Sequence, residues 1–408
     1  MTDIVAVIHE LVLLLLIALT VILITRRLAV PYTLGLVIVG LLISLFGFLP
    51  EIHLSPDLVL FVFLPALLFE GAWSISVQRL RQNWLIILLL AVPGLLVALV
   101  LLAVPLHFFA GLNWEDAFLL GAILSPTDPV AVLGLFRQLK VNQDLSTIIE
   151  GESLFNDGVA GVLYQTFLIV VLASLGQEPQ GGQVWLEGIE RFIVEAGGGL
   201  VIGAACGFVV SRFVKYIDEP LIETTITIVT AYGVYLLADF FHMSGILAVI
   251  VAGLIFGSYG QNRNMSERTR EVVDNFWNMV AFLANALLFL LVGAQLNPMQ
   301  FLSTQDTLHL MITAGLAIAA VLVGRFVMVA LLPNRFQFAP GERLRPWRFV
   351  IFWSGLRGAL SLALVLALPL EVPDRNALIF STYAVVLFTL LIQGFSLRLL
   401  LKGLPGVS

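Results

Sequence analysis

The chain has 408 residues, of which 60% are hydrophobic and 12% are charged. A soluble domain of this size cannot hide so large an apolar share, which excludes a soluble protein and leaves no reason to expect a nucleic-acid partner. The net charge of −6 is a weak guide, because the placement of charges matters more than their sum. One cysteine, Cys206, excludes an intramolecular disulfide, and the five histidines show no metal-ligand spacing, so no cofactor is expected.

Apolar stretches of about 20 residues, the length that spans a bilayer core, recur along the whole chain. They predict an all-α polytopic membrane protein with thirteen spans. The spans lie at roughly 6–25, 33–49, 57–76, 84–109, 113–136, 146–174, 190–211, 221–239, 243–258, 273–296, 307–332, 347–369 and 376–400. Continuous apolar runs, rather than two-residue alternation, exclude a strand barrel.

The basic residues of the loops predict the orientation of these spans. If the N-terminus lies outside, only Arg191 and Arg375 of the 21 lysines and arginines fall in outer loops, while Arg325 and Arg357 fall within spans. Cytoplasmic loops carry an excess of Lys and Arg. We therefore expect a multi-pass protein of the cell membrane, with its N-terminus outside and its C-terminus cytoplasmic.

The fifth span contains a strong helix break at mid-depth. The segment "LSPTDPVAV" (124–132) places Pro126 and Pro129 on either side of Thr127 and Asp128. Each proline removes a backbone donor and disfavours helical geometry at the residue before it. Unwound backbone is tolerated at membrane depth only inside protein or beside a water-filled cavity, so the break predicts such a cavity.

The twelfth span contains a weaker break, "WSGLRGALS" (353–361), in which Gly355 and Gly358 flank Arg357. Glycine permits unwinding without forcing it, and close helix packing is an alternative reason for the pair. The two breaks occupy the fifth place in two six-helix groups that are offset by seven spans. An odd offset inverts orientation, which predicts an inverted repeat with two discontinuous crossing helices, spans 5 and 12, as in secondary transporters.

The sixth span carries polar residues that a lipid-facing helix would not tolerate. Its segment "GESLFNDGVAG" (151–161) includes Glu152, Ser153, Asn156 and Asp157. A carboxylate in the bilayer costs several kcal/mol, so such residues face the interior of a bundle and indicate function. Helical phase puts Ser153 and Asp157 on one face, towards a cavity, and Glu152 and Asn156 on the neighbouring face.

Glu152 has a predicted partner in another span. Glu152 and Arg325 each lie about 10 Å from the inner ends of their spans at 1.5 Å per helical residue. An acid and an arginine at the same depth cost less as an ion pair than as separate charges. We therefore expect a structural Glu152–Arg325 pair.

Asp128 and Asp157 both lie near the membrane midplane. With the Ser153 hydroxyl and a freed Thr127 carbonyl they make a set of hard oxygen ligands that suits a small alkali cation. A buried carboxylate can hold a proton or a cation, but not both well. That competition by itself would give antiport, whereas a purely structural role for Asp157 is the alternative.

Five segments together resemble the monovalent cation/proton antiporter family, in its NhaP-like sodium/proton exchanger branch. They are "FLPALLFEGAW" (63–73), "SPTDPVAVL" (125–133), "GESLFNDGV" (151–159), Gly324–Arg325 and "GLRGALSLAL" (355–364). The segments occur in the family's order and run from the third span to the twelfth. "TDP" alone would be a weak signal, but the set is specific.

The resemblance implies a thirteen-helix, NhaA-like fold that is usually a homodimer. Residues 84–175 (spans 4–6) and 306–408 (spans 11–13) would form a core transport domain. Residues 1–83 (spans 1–3) and 217–305 (spans 8–10) would form a dimerising scaffold, and 176–216 a linker helix (span 7). The core is expected to move against the scaffold.

The resemblance also implies residue roles. The ion site would consist of Thr127 through its carbonyl, Asp128, Ser153 and Asp157. Asp157 would carry both Na⁺ and H⁺, and Glu152 with Arg325 would be the structural pair. Asn156, in place of a second aspartate, is similar to the electroneutral branch that exchanges one cation for one proton. Glu70 would line the cytoplasmic funnel and Arg357 would support the site.

Three alternatives stay open at this point. Potassium/proton antiport could use the same site, because selectivity depends on cavity geometry that sequence does not contain. A cation channel would lack coupling between the two ions. An intramembrane hydrolase using Ser153, or Ser244 with His242, is the least favoured, since no nucleophile and base are placed together at depth. We therefore expect a transporter of Na⁺ or Li⁺ and H⁺ rather than an enzyme.

Overall fold

The computed structural model describes residues 2–28, 31–47, 56–175, 181–259, 265–295, 307–332 and 344–403. Within these ranges every regular element is a helix. The helices are α1 Thr2–Leu28, α2 Tyr32–Phe46, α3 Val59–Ser74, α4 Val77–Ala110, α5 Trp114–Leu124, α6 Val130–Leu139, α7 Gln143–Leu175, α8 Gly181–Val214, α9 Pro220–Phe240, α10 Gly245–Tyr259, α11 Glu267–Gln295, α12 Thr307–Ala330, α13 Leu344–Trp353, α14 Ala359–Leu366 and α15 Arg375–Leu401.

The outer surface of the helices is apolar. Eight of the described helices are long and apolar enough to cross a membrane, and α2, α3, α6 and α10 are shorter apolar helices. Large apolar side chains lie on the surface, with Phe109 74%, Phe240 76% and Leu221 79% exposed. Such a surface is stable only in contact with lipid, where every helix satisfies its own backbone hydrogen bonds. The chain is a multi-pass integral membrane protein, as predicted.

Small residues let some helices approach until their backbones touch. A Cβ atom built on Gly40 of α2 would lie 2.7 Å from the backbone nitrogen of Ala294 and 2.9 Å from the carbonyl carbon of Gly293, both on α11. Lipid tails are as apolar as leucine, so van der Waals contact rather than water exclusion holds membrane helices together. The backbones of α2 and α11 are therefore in close contact at Gly40, Gly293 and Ala294.

Helix contacts divide the described chain into two packed groups. One group consists of α1, α2, α3, α8, α9, α10 and α11, in which α8 packs on α9 and α10, and the other consists of α4, α5, α6, α7, α12, α13, α14 and α15. Helix α7 borders both groups, because it also contacts α3, α8 and α10. The polar stretch of α7 therefore lies next to the boundary between the groups.

Two helix interruptions meet within the second group. Residues 125–129 separate α5 from α6, and residues 354–358 separate α13 from α14. The backbone N–H of Asp128 in the first interruption donates to the carbonyl of Leu356 in the second, at 2.8 Å. Each interruption thus satisfies a backbone group of the other, which is required of irregular backbone buried in a membrane protein. Both breaks lie where the sequence predicts them.

Candidate ion-binding cavity

A cavity of about 130 Å³ adjoins the two interruptions, with room for several water molecules. Its polar lining residues are Glu70, Thr127, Asp128, Glu150, Ser153, Asp157, Asn285 and Ser361. Four of them are carboxylic acids, and no Lys, Arg or His lines the cavity in the described part of the chain. A cleft with one sign of charge and low-dielectric walls concentrates the opposite ion, so this cavity favours cations.

Asp128 joins the two half-helices that begin after the interruptions. Its carboxylate accepts the backbone N–H of Val130, at 2.9 Å, and the backbone N–H of Ala359. These residues are the first of α6 and α14, so two helix N-termini point at one carboxylate. A helix N-terminus carries partial positive charge, and the Asp128 charge offsets both ends at once.

Gly358 lies directly against Asp128. A Cβ atom built on this glycine would overlap the Asp128 carboxylate, with Cγ at 2.5 Å. A residue without a side chain is required here for the carboxylate to reach the start of α14. The glycine of the second interruption thus makes room for the aspartate of the first.

Side chains of α7 hold the unwound Thr127. The Ser153 hydroxyl donates to the Thr127 carbonyl. The Asn156 amide donates to the Thr127 hydroxyl at 2.8 Å and accepts the Thr127 backbone N–H at 3.3 Å. A carbonyl oxygen has two lone pairs, so the Thr127 carbonyl keeps one for a cation. Asn156 itself is buried and does not line the cavity, so it supports the site by holding the backbone.

Asp157 is a cavity acid with a buried oxygen that has no partner among the described residues. It lines the cavity half-buried, and its Oδ1 has no hydrogen-bond partner in the described part of the chain. An unsatisfied buried carboxylate oxygen costs free energy unless a proton, a cation or water binds it. Of the predicted site residues, Thr127, Asp128, Ser153 and Asp157 are brought together around one cavity.

Glu152 lies on the neighbouring face of α7 and is fully paired. Arg325 of α12 contacts it through both terminal nitrogens, with Nη2 to Oε2 at 2.9 Å. Arg325 also donates to the carbonyl of Ile351 from Nε at 3.2 Å and Nη2 at 3.0 Å. Glu152 is 1% exposed and Arg325 is 4% exposed. The expected contact between the two residues is present and ties α7, α12 and α13 together.

Arg357 does not enter the cavity. Its Nη1 donates to the Gly355 carbonyl at 3.1 Å, and its backbone N–H donates to the Thr389 hydroxyl at 3.1 Å. The side chain is 3% exposed and lies in the electrostatic field of Arg325 and Glu152. Arg357 therefore contacts the backbone of the second interruption and does not contact the cavity.

The hydrolase alternative finds no catalytic arrangement. The Ser153 hydroxyl is committed to the Thr127 carbonyl, and Ser244 accepts the backbone N–H of Leu247 at 3.2 Å, at the start of α10. No histidine lines the cavity, and the described residues contain no cluster of three His, Cys, Asp or Glu that could hold a metal. A nucleophile without a base is not activated.

The chain matches the family described as "Sodium/hydrogen exchanger, transmembrane" over residues 12–403. It belongs to the sodium/hydrogen exchanger family. Members of this family are transporters rather than enzymes, and the ions that they bind are transported substrates rather than cofactors.

Relatives in this family match most of the chain. The low-affinity Na⁺/H⁺ antiporter NhaS1 of Synechocystis is 41% identical over 384 residues, covering 93% of this chain and 70% of the relative. The Na⁺/H⁺ antiporter NhaH of Halobacillus aidingensis is 34% identical and covers 97% of each chain. The solved structure of the sodium proton antiporter MjNhaP1 of Methanocaldococcus jannaschii at pH 8 has the same fold. Its TM-score is 0.77 at 20% identity, over 98% of this chain and 99% of that one.

In this exchanger, two further acids line the cavity. Glu70 of α3, expected from the sequence, lines it, and Glu150 of α7, not expected, does so as well. The Ser74 hydroxyl donates to Glu150 at 3.4 Å. Glu150 precedes Ser153 by three residues and Asp157 by seven, which puts all three on one helix face. That spacing was the signal that could have found it.

Two other lining residues of the exchanger lie on different helices. Asn285 is 6% exposed and comes from α11, in the other helix group. Ser361 is 1% exposed and comes from the first turn of α14. No local sequence signal identifies Asn285, whereas Ser361 follows Gly358 by three residues, inside the glycine-containing motif of the twelfth span.

Proposed function

We propose that this chain is a secondary active transporter that exchanges Na⁺ or Li⁺ for H⁺ across a membrane. The observation that carries the proposal is the charge balance of the cavity, which has four carboxylic acids and no basic side chain among the described residues. The buried Arg325 on the neighbouring face of α7 is already neutralised by Glu152. The Na⁺/H⁺ antiporter names of the relatives support sodium as the cation.

The exchange follows from competition at Asp157. A cation bound to the Asp157 carboxylate, the Ser153 hydroxyl, the Thr127 carbonyl and Asp128 leaves when a proton takes its place on Asp157. The charge of the site is then the same in both loaded states, so one cation moves against one proton without net charge. The neutral amide of Asn156, which holds Thr127 instead of adding a second titrating charge, agrees with electroneutral one-for-one exchange.

The two packed helix groups suggest the moving parts. We assign residues 84–175 and 306–408 to a core transport domain, 1–83 and 217–305 to a scaffold, and 176–216 to a linker helix. The boundary at 83 falls inside α4, so we move it to the start of that helix at Val77. Counting α5 with α6 and α13 with α14 as single broken spans gives thirteen, with an inverted repeat and two crossing discontinuous helices. In this proposal the core carries Asp157 from one side of the scaffold to the other.

The orientation follows from the distribution of basic residues. The cavity reaches from Asp157 to Glu150, about 10 Å along α7, towards the end that carries the Arg79–Asp144 ion pair. If the N-terminus lies outside and the C-terminus is cytoplasmic, this end of α7 is cytoplasmic, so the cavity gives ions access to Asp157 from the cytoplasm. Assembly as a homodimer through the scaffold is part of the same proposal.

Proteoliposomes with an internal pH dye test the proposed function. We expect a pH gradient to collapse on addition of Na⁺ or Li⁺ and to persist on addition of K⁺. Collapse by K⁺ but not by Na⁺ would replace the assignment with potassium/proton antiport on the same site. The same vesicles held at imposed membrane potentials separate exchange from a channel, because electroneutral exchange does not respond to the potential.

A further inference from the structure

The hydroxyl of Ser361 is buried at the cavity and has no protein partner among the described residues. Ser361 is 1% exposed, the residue lines the same cavity as Ser153 and Asp157, and its Oγ makes no hydrogen bond in that part of the chain. A hydroxyl withdrawn from water without a partner costs free energy. A cation or water in the cavity that bonded this hydroxyl would remove that cost.

The position of Ser361 in α14 explains why the usual partner is missing. Several buried hydroxyls inside other helices bond the carbonyl four residues back, as Thr382 bonds Leu378 at 2.8 Å. Ser361 is the third residue of α14, so the residue four positions back lies in the interruption, outside the helix. The hydroxyl therefore has no helical carbonyl to bond, in a residue that lines the cavity.

The neighbours of Ser361 tie it to the ion site. Ala359, two residues earlier, donates its backbone N–H to Asp128, and Gly358 lies against the same carboxylate. Asp157 also has an unpartnered oxygen at this cavity, on the opposing helix α7. Two residues that each have an unsatisfied oxygen, one from each helix, thus line one cavity, and oxygen ligands suit a hard cation.

We propose that Ser361 is a further ligand of the transported cation, contributing its hydroxyl oxygen from α14 opposite Asp157 and Ser153 of α7. This inference rests on the proposed function and adds the residue that bridges the ion to the second broken span. A protonated Asp157 needs no such ligand, so Ser361 favours the cation-loaded state over the proton-loaded state.

The decisive variant is Ser361→Ala, measured by Na⁺-driven proton movement in proteoliposomes. We expect the KM for Na⁺ to rise about tenfold, the loss typical of one strong polar contact, with the maximal rate little changed. Because Na⁺ and H⁺ compete, weaker Na⁺ binding lets protons win up to a higher pH. At a fixed Na⁺ concentration that saturates the wild type, the midpoint of the activity profile should move upward by about one pH unit for a tenfold loss of affinity.

Ser381→Ala is the matched control. Ser381 lies on the adjacent α15, is 0% exposed and also has an unpartnered hydroxyl within the described residues, but it does not line the cavity. Its variant should keep the wild-type KM and pH midpoint. Ser361→Cys keeps the volume but replaces the hard oxygen with sulfur, so it should behave like Ser361→Ala if ligation matters and like wild type if packing matters.

A direct measurement of Na⁺ binding keeps the test valid for variants that do not transport. Stabilisation of the purified protein by Na⁺, followed as a shift in thermal unfolding, should require about tenfold more Na⁺ in Ser361→Ala than in Ser381→Ala. Equal Na⁺ dependence in the two variants, or a fall in maximal rate at unchanged KM, overturns the ligand role. Absence of exchange in the wild-type protein would instead overturn the proposed function.

Discussion

Glu152 and Asp157 lie five residues apart on α7 and have opposite surroundings. Glu152 is paired with Arg325 through both carboxylate oxygens, and Arg325 is saturated further by the Ile351 carbonyl. Asp157 faces a cavity whose described lining has no basic side chain, and it keeps an oxygen without a partner there. Both are acids of one helix at membrane depth, about 7.5 Å apart along its axis.

The difference separates a structural charge from a transporting one. A carboxylate whose two oxygens both contact a buried arginine has its charge neutralised by that partner, and losing either partner strands a charge. A carboxylate with an open oxygen beside a water-sized space can bind and release. In the proposed mechanism, the helical phase of one turn therefore separates the acid that holds the structure from the acid that exchanges ions.

Asp157→Asn tests most directly whether Asp157 carries the exchanged ions. The amide keeps the shape but cannot carry a proton or the charge that binds Na⁺, so exchange in proteoliposomes should fall below detection while the protein stays folded. Asp239→Asn changes an exposed aspartate at the end of α9 and should exchange like wild type. Measurable exchange by Asp157→Asn would remove the carrier role from this residue.

The other acid should respond through stability. Arg325→Ala leaves Glu152 buried and unpaired, which should cost about 3–5 kcal/mol and show as a lower unfolding temperature of the purified protein. Arg325→Ala with Glu152→Gln should recover part of this loss, because no stranded charge remains. The exposed pair Arg79–Asp144, at 3.7 Å, provides the contrast, and Arg79→Ala should cost about 0–1 kcal/mol. No recovery in the double variant would contradict a pair that acts by charge.

Gly358→Ala tests the contact that brings the two interruptions together. The added methyl group overlaps the Asp128 carboxylate, so we expect overpacking of about 1–3 kcal/mol together with a reduced rate of exchange. Gly315 of α12 has nothing within 4 Å of the place that a methyl group would take, and Gly315→Ala should leave exchange unchanged. Equal rates for the two variants would mean that Asp128 does not need its place at the start of α14.

Glu150→Gln should have the smallest effect, because we propose that Glu150 attracts cations to the cavity without binding them tightly and the charge of Arg137 offsets part of its field. We expect the KM for Na⁺ to rise roughly two- to threefold at low ionic strength and to approach the wild-type value at high salt, where the field is screened. Glu267→Gln removes an exposed acid outside the cavity and provides the control. A rise in KM that persists at high salt would instead make Glu150 a direct ligand.

The sequence predicts the site most accurately where the determining property is local. Pro126 and Pro129 lie between the end of α5 and the start of α6, and proline interrupts a helix because it lacks a backbone donor. The helical repeat alone separates Glu152 from Asp157 around α7. By contrast, the sequence prediction put Arg357 beside the site, whereas its guanidinium bonds the Gly355 carbonyl and stays outside the cavity.

Hydropathy, proline and helical period act within one segment. The sequence alone therefore predicts the membrane class, the positions of the breaks and the face of α7 that meets the cavity. Packing between helices brings Asp128 to the start of α14 and adds Asn285 and Ser361 to the lining of the cavity. Periodicity gives the depth and phase of a residue on its own helix. It contains no information about which helix packs opposite, and the ligands of a shared cavity come from that packing.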